Sequence, residues 1–115
     1  MPIRRQEEIP LPRAVIERAL ATSPDRTLAP LLERAFARIL DGGPGDRMKM
    51  MSSALPLLED DSEVYRYPCI VRSDQFTRLM DLAHAKNLNV LVLIAGAVIA
   101  ELGMEGDSGS EVHSL

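Results

Sequence analysis

The spacing of hydrophobic residues changes along the first part of the chain, and each change predicts a new element. In residues 7–12, Ile9 and Leu11 alternate with polar or proline positions, a pattern typical of a short strand. The prolines of this segment restrict the strand to an edge or to a two-stranded ribbon. From Arg13 the apolar residues recur at helical spacing for about ten residues, and we expect this helix to break at residues 22–25.

A second helical pattern begins near Thr27 and continues to residue 40. We expect the Thr27 hydroxyl to cap this helix and Pro30 to lie in its first turn, where the missing N–H of proline costs little. We predict that residues 41–63 form a linker, because the glycine-rich residues 42–45 end the helix and the segment ends in a run of acidic residues. Its methionines and leucines predict that it packs as a short helical turn over the core.

Residues 64–72 form the most strand-like segment, since they are rich in β-branched and aromatic side chains. Alternate side chains of a strand face opposite sides, so this segment divides into two faces. One face carries Arg66, Pro68, Ile70 and Arg72, and the other carries Tyr65, Tyr67, Cys69 and Val71. We expect a third helix to follow at once, with Ser73 or Asp74 as its cap.

A turn separates the third helix from the fourth. Asn87 tolerates the left-handed conformation that ends a helix, and Asn89 can cap the next one. The fourth helix, residues 90–102, is apolar on nearly every side, which is typical of a helix surrounded by protein. Gly103 stops it, and we expect residues 104–115 to be a disordered tail.

The two halves of the chain align with each other, at an offset of 60 for the strand and first helix and of 62 for the second helix. One strand–helix–helix unit cannot bury its own apolar face, whereas two units bury it against each other. We therefore predict an α+β, mostly helical fold in which residues 1–115 form one domain of two tandem units, 7–40 and 64–103, related by a pseudo-two-fold axis. The matched positions of the first unit are Ile9, Leu11, Ile16, Ala19, Leu20, Leu31, Leu32, Ala35, Phe36 and Leu40. In the same order, those of the second unit are Cys69, Val71, Phe76, Leu79, Met80, Leu93, Ile94, Ala97, Val98 and Leu102.

Residues 70–76 (IVRSDQF) and 87–94 (NLNVLVLI) carry a resemblance to a known family. The order of strand, helix, tight turn and long apolar helix is similar to that of the ribbon-helix-helix DNA-binding proteins of the Arc/MetJ type. With two units in one chain, the sequence resembles single-chain members of this family, of the kind that bind DNA in T-DNA transfer systems. The resemblance covers the two units and leaves out the linker and the tail.

The resemblance implies that the two strands pair antiparallel and enter the major groove of double-stranded DNA. Outward side chains would then read base edges, and the start of each second helix would hold a phosphate. The residues that it implies as DNA contacts are Arg66 and Arg72 on the second strand, Thr27 and Asn89 at the helix starts, and Arg4 and Arg5 in an N-terminal basic arm.

The first strand departs from the pattern of this family. Its outward residues Gln6, Glu8 and Pro10 are poor partners for a polyanion, and residues 90–92 are apolar where a phosphate would dock. The net charge is −4 and the pI is near 5.1, whereas a nucleic-acid-binding domain is usually basic. For this acidic chain to bind DNA, its positive charges would have to be concentrated on one part of the surface.

Composition argues against several other classes of protein. The lone Cys69 excludes an internal disulfide, and four aromatic residues are too few for single-strand binding by base stacking. The charged N-terminal residues do not form a signal peptide, and the longest apolar run, residues 90–100, falls short of the roughly 20 that a membrane span needs. We therefore expect a cytoplasmic protein with no membrane partner. No cofactor, metal site or catalytic constellation is indicated.

We expect a non-enzymatic DNA-binding protein that acts in transcriptional regulation or in DNA processing and transfer, as a monomeric pseudo-dimer or a homodimer. The alternative is a small adaptor or inhibitor that turns the same face to another protein, which the acidic pI and the glutamates of the first strand favour. A third hypothesis is a structural oligomerisation unit in which the fourth helix is buried between chains.

Overall fold

The computed structural model describes residues 3–23, 26–59 and 61–104, and only the backbone of Asp61. The predicted tail therefore lies outside the described residues from position 105 onward, as do Pro24 and Asp25 of the predicted break. The elements in chain order are β1 (Arg4–Pro12), α1 (Arg13–Thr22), α2 (Ala29–Asp41), α3 (Pro44–Leu58), β2 (Val64–Arg72), α4 (Ser73–Ala85) and α5 (Val90–Glu101). A single 3-10 turn at Asp61–Glu63 precedes β2. The fold is α+β and mostly helical, as predicted.

The two strands form an antiparallel two-stranded sheet, although three helices lie between them in the chain. The register places Glu8 opposite Pro68, with Arg4 opposite Arg72 at one end. The strand β1 begins at Arg4, so the predicted start at residue 7 was wrong. The polar residues before position 7 are held in the strand by pairing with the end of β2, which the local pattern does not reveal.

The two faces of the sheet differ in burial as the alternation of residues predicts. Ile9, Leu11, Cys69 and Val71 are buried beneath the helices. The other face of the sheet is turned to solvent, and no described helix covers it. This alternation fixes the register, because a slip of one residue would turn the four buried side chains outward.

The helices α2 and α5 pack against each other under the sheet, with α2 contacting β2 and α5 contacting β1. Every residue from Val92 to Ile99 is buried, because α2, α3 and α4 surround α5. The prediction of an enclosed fourth helix is confirmed, although the helix ends at Glu101. Gly103 follows with a φ of 73°, a left-handed conformation that suits glycine.

No single helix among the described residues is long and apolar enough to cross a membrane. The helices α4 and α5 together reach the required length and hydropathy, but they are bent by 118° at the turn between them.

The predicted linker is a helix of 15 residues, α3, so the expectation of a short helical turn was wrong. The glycine-rich residues 42–45 contain the helix start: Gly43 is the N-cap, Pro44 is the first helical residue, and the Asp46 carboxylate accepts a hydrogen bond from the Gly43 N–H at 3.1 Å. The helix buries Met50 and Ala54 against the core. The hydrophobic residues of α3 follow the helical period only weakly, and Pro56 lies inside the helix. The stability of α3 therefore depends on its contact with α5.

The closest approach between α3 and α5 lies at Gly96. A Cβ atom at this position would lie 2.1 Å from the carbonyl oxygen of Met50 and 2.4 Å from its carbonyl carbon. These distances are far below van der Waals contact, so only glycine fits here without a shift of one backbone against the other.

Two of the predicted helix caps differ from the observed ones. The N-cap of α2 is Leu28, whose carbonyl accepts from the Leu32 N–H at 2.9 Å, so Thr27 precedes the cap. The helix α4 already includes Ser73, whose N–H donates to the Ile3 carbonyl at 2.8 Å and so continues the pairing of the sheet. Tertiary contacts determine where these two helices begin. Leu28 is buried at the start of α2, and the sheet extends to Ser73 at the start of α4.

The turn before α5 has the predicted caps. Asn87 adopts a φ of 57°, and the Asn89 Oδ1 accepts from the N–H groups of Leu91 and Val92 at 3.1 and 3.3 Å. Both asparagine predictions are confirmed. The sequence signal was sufficient here, because each residue acts on its immediate neighbours.

Arg47 joins α3 to the end of α2. It is only 9% exposed, and its Nε donates to the Ile39 carbonyl at 3.1 Å. We expect Arg47→Met to lower the free energy of unfolding by about 1–3 kcal/mol, because a buried carbonyl at a helix end loses its donor. Urea denaturation of both proteins measures this change. Lys49→Met, at an exposed position of the same helix, should change stability by less than about 0.5 kcal/mol, and equal stabilities for the two variants would contradict the assigned role.

Candidate nucleic-acid interface

The solvent-facing side of the two-stranded sheet, hereafter the outer ribbon face, is built from alternate residues of both strands. The register sets these residues opposite one another in pairs. From the Arg4 end the pairs are Arg4 with Arg72, Gln6 with Ile70, Glu8 with Pro68, and Pro10 with Arg66. The pair that follows, Pro12 with Val64, ends the sheet and is left out of this face because Pro12 is buried. The other four pairs therefore contribute three arginines and one glutamate to the face, in a chain of net charge −4.

Two of these arginines already have carboxylate partners. The Arg4 Nη1 lies 3.1 Å from Glu33 Oε2 of α2. Arg72 binds Asp74 through two contacts, Nε to Oδ1 at 3.2 Å and Nη2 to Oδ2 at 2.7 Å. These hydrogen bonds raise the pKa of Arg72 and lower the pKa of Asp74. The two arginines lie opposite each other, and the carboxylates offset the repulsion between them.

Arg66 differs from these two residues. It is exposed at the other end of the outer ribbon face, opposite Pro10. Within the part of the chain that the structure describes, it makes no ion pair. Its guanidinium is therefore the one on this face that an incoming anion or base edge meets without first displacing a carboxylate.

The predicted N-terminal basic arm is part of the strand instead, so that prediction was wrong. Arg4 and Arg5 are the first two residues of β1. The Arg5 side chain belongs to the opposite side of the sheet, where its Nε lies 2.6 Å from Glu7 Oε2 and its Cζ lies 5.2 Å from the centre of the Phe76 ring. Arg5 is therefore removed from the outer ribbon face by strand alternation.

The start of α2 lies beside the sheet. Residues 26–29 and residues 67–70 of β2 line a cleft of about 200 Å³. Thr27 is exposed in this cleft although it does not cap the helix. Arg26, which adopts a φ of 57°, adds a positive charge at the same place. The N-cap residue Leu28 has no side-chain oxygen to accept from the first turn of α2, and Arg26 and Thr27 flank this helix start, which is of the kind that favours anions.

The start of α5 differs, because the Asn89 side chain already occupies the N–H groups of Leu91 and Val92. A phosphate at this helix end would have to displace the amide oxygen or bind beside it. The two predicted phosphate-facing residues therefore differ in position: Asn89 caps its own helix, whereas Thr27 precedes the N-cap of α2.

The chemistry of the remaining polar residues is limited. In the described ranges, no three side chains from His, Cys, Asp and Glu come close enough to share a metal ion. Cys69 is buried in the core at 3% exposure, with its Sγ 3.3 Å from the Tyr67 carbonyl oxygen. Cys69 therefore packs as a small hydrophobic residue of the core.

Burial raises the pKa of the Cys69 thiol from 9.0 to about 11. Between these two pH values the thiol ionises in the unfolded chain but not in the folded one, so folding stability should fall as the pH rises. We expect the loss specific to this thiol to reach about 2 kcal/mol, as measured by urea denaturation from pH 8 to pH 11 relative to Cys69→Ala. Parallel pH profiles for the two proteins would contradict this assignment.

In comparisons with known proteins, no protein-family model, curated protein or solved structure matches this chain. The functional interpretation therefore depends on the geometry of the outer ribbon face and of the helix starts beside it.

Proposed function

We propose that the chain is a single-chain ribbon-helix-helix domain that binds double-stranded DNA through the outer ribbon face, in transcriptional regulation or in DNA processing and transfer. One observation carries the proposal: two strands far apart in sequence pair antiparallel about the pair Glu8 and Pro68, whose positions differ by the repeat offset of 60. An antiparallel pair centred on equivalent residues is what a pseudo-two-fold axis through the sheet requires.

The element boundaries support the same axis. The strand β2 (64–72) begins and ends 60 residues after β1 (4–12), and α4 begins at position 73 as α1 begins at position 13. The second helix of each unit packs on the strand of the other unit, α2 on β2 and α5 on β1. This arrangement agrees with two units related by an axis.

Burial also agrees between the two units. At the matched core positions both members are buried or both are partly buried, with one exception: Leu20 is partly buried and Met80 is exposed. Ala35 and Ala97 are both fully buried, as expected where two helices approach closely across an axis. Unrelated halves of a small α/β protein would not be expected to match in burial at nearly every position.

The residues of the outer ribbon face support the proposal. The major groove is wide enough to admit a two-stranded ribbon. Arg66 would reach a base edge or phosphate directly, while Arg4 and Arg72 would exchange their carboxylate partners for phosphates. The cleft at Arg26 and Thr27 would then lie where the DNA backbone passes.

The proposal is tested by anisotropy titration of the full chain with a pool of random-sequence duplexes. We expect saturable binding at low salt that weakens as salt rises, because a protein that neutralises phosphates releases counterions. The preparation needs a high-salt wash first, since the chain has two tyrosines and no tryptophan and nucleic-acid carryover would dominate its absorbance. A lack of saturable binding at about 50 mM salt would reject the proposal.

The carboxylate that holds Arg72 should weaken DNA binding. We expect Asp74→Asn to tighten binding by about three- to tenfold at low salt, because it frees the Arg72 guanidinium and removes a negative charge beside the outer ribbon face. Asp81→Asn is the matched control, because Asp81 is exposed two turns further along α4. An equal effect of the two substitutions in the titration would indicate a general charge effect and would count against Arg72 as a contact.

A second candidate function has one observation in its favour. The middle of the outer ribbon face is largely apolar, with Pro10, Pro68 and an exposed Ile70 around Glu8. Such a surface also suits an adaptor or inhibitor that docks another protein. Co-purification of one stoichiometric protein partner, dissociated by Ile70→Asp, together with no binding of the duplex pool, would favour this function over DNA binding.

A further inference from the structure

Ile70 is a large aliphatic side chain on the outer ribbon face, where it is 45% exposed. The residue opposite is Gln6, and the other positions of this face are charged or proline. An exposed aliphatic side chain on a DNA-binding face needs an apolar group in the groove to contact. On the major-groove edges of the bases, that group is the C5-methyl of thymine.

The two ends of the outer ribbon face differ in chemistry. Residues that are 60 positions apart would be equivalent under the proposed axis, yet Gln6 stands where the second strand has Arg66, and Pro10 stands where it has Ile70. The register puts Gln6 and Ile70 together at one end and Pro10 and Arg66 together at the other. A palindromic duplex would present identical base edges to these two different ends, so one end would always be mismatched.

We propose that the chain recognises a non-palindromic duplex site with an A·T pair under Gln6 and Ile70 and a G·C pair under Arg66. An A·T pair offers the N6 and N7 groups of adenine to the glutamine amide and the thymine methyl to the isoleucine. Arg66 donates to the O6 and N7 of guanine. This inference rests on the proposed DNA-binding function and specifies its substrate.

The spacing of the two base pairs follows from the length of the strand. Gln6 and Pro10 are four residues apart on β1, which corresponds to about 13 Å of extended chain. Stacked base pairs rise about 3.4 Å each, so the two recognised pairs would lie about four steps apart. The availability of Arg66, which makes no ion pair within the described residues, fits direct base contact better than the carboxylate-held Arg72 does.

The test starts from duplexes selected out of a random pool by the full-length chain at low salt. The tightest duplex is then resynthesised with uracil in place of each thymine in turn, which removes only the methyl group. We expect a non-palindromic consensus and a loss of about fourfold in affinity at one thymine, the amount that corresponds to burying a single methyl group. In Ile70→Ala the same uracil substitution should have no effect.

Two further variants control for folding and for non-specific loss of apolar surface. Ile70→Val keeps a β-branched side chain in the strand and should keep the discrimination between thymine and uracil. Leu55→Ala removes an aliphatic side chain that is also 45% exposed but lies on α3, and it should bind like the unmodified chain.

The outcomes separate this inference from the function on which it rests. A palindromic consensus, or uracil tolerated at every position while binding still saturates, would overturn the inference and leave DNA binding in place. No saturable binding of any duplex in the pool would overturn both.

Discussion

Gly96→Ala should destabilise the protein more than any other single methyl addition described here. The added Cβ would lie 2.1 Å from the Met50 carbonyl oxygen, which is backbone and cannot rotate away. Either α3 moves off α5 or the centre of α5 shifts, and both responses disturb fully buried side chains such as Ala54 and Leu93. We expect a loss of roughly 3 kcal/mol or more in the free energy of unfolding, and a fall in Tm of more than about 10 °C.

Gly45→Ala is the matched control for this substitution. Gly45 lies in the first turn of α3, and a Cβ there would meet nothing within 4 Å. Replacing an unhindered helical glycine should raise stability by about 0.5–1 kcal/mol, because the unfolded chain loses flexibility. Thermal unfolding followed by circular dichroism compares the two variants. A Gly96→Ala protein that melts with the unmodified chain would show that α3 does not approach α5 this closely.

The double charge reversal Arg66→Glu with Arg72→Glu should abolish DNA binding. It places two carboxylates at opposite ends of the outer ribbon face, where Glu8 already lies at the centre. Each lost arginine contact is worth about 1–3 kcal/mol, so we expect affinity to fall by roughly a hundredfold or more at low salt. The measurement is the anisotropy titration with the selected duplex. Binding that survives unchanged would remove the outer ribbon face as the contact surface.

The control reverses two other arginines, Arg18→Glu with Arg78→Glu. These residues are exposed on α1 and α4, and their positions differ by the same offset of 60. The control changes the net charge by the same amount as the test pair but leaves the outer ribbon face intact. A loss of affinity equal to that of the test pair would mean that binding depends on overall charge alone. Both double variants should stay folded, because Arg18, Arg66 and Arg78 are exposed and Arg72 is partly exposed. The test pair also loses the ion pair between Arg72 and Asp74, which should lower the free energy of unfolding only slightly, because solvent screens an ion pair at the surface.

Local patterns in the sequence were sufficient for β2, for the existence of β1 and of four helices, and for the turn at Asn87 and Asn89, but not for the start of β1 or for the caps of α2 and α4. Alternation in residues 64–72 identified the two faces of β2, and the apolar run of α5 identified a buried helix. These features depend on residues close together in the chain, where the period of side chains and the caps act directly. Arg72 and Asp74 are only two positions apart, so the sequence alone could have predicted their contact.

The helix α3 was missed because its stability comes from tertiary contact. Its apolar residues do not form a regular stripe, and a proline lies inside it. The sequence does carry a signal in Gly43-Pro44 followed by Asp46, a combination typical of a helix start, but glycine-rich residues of this kind are equally typical of a loop. The close approach at Gly96 and the ion pair between Arg4 and Glu33 join segments far apart in sequence, so no local pattern reports them.

An NMR titration of the ¹⁵N-labelled chain with the selected duplex tests the central claim, that two strand–helix–helix units present one ribbon to DNA. We expect the largest amide shifts at Gln6, Arg66 and Ile70 and at the first turns of α2 and α5, with α3 nearly unchanged. Shifts centred on α3, or spread evenly over the helices while binding saturates, would contradict it.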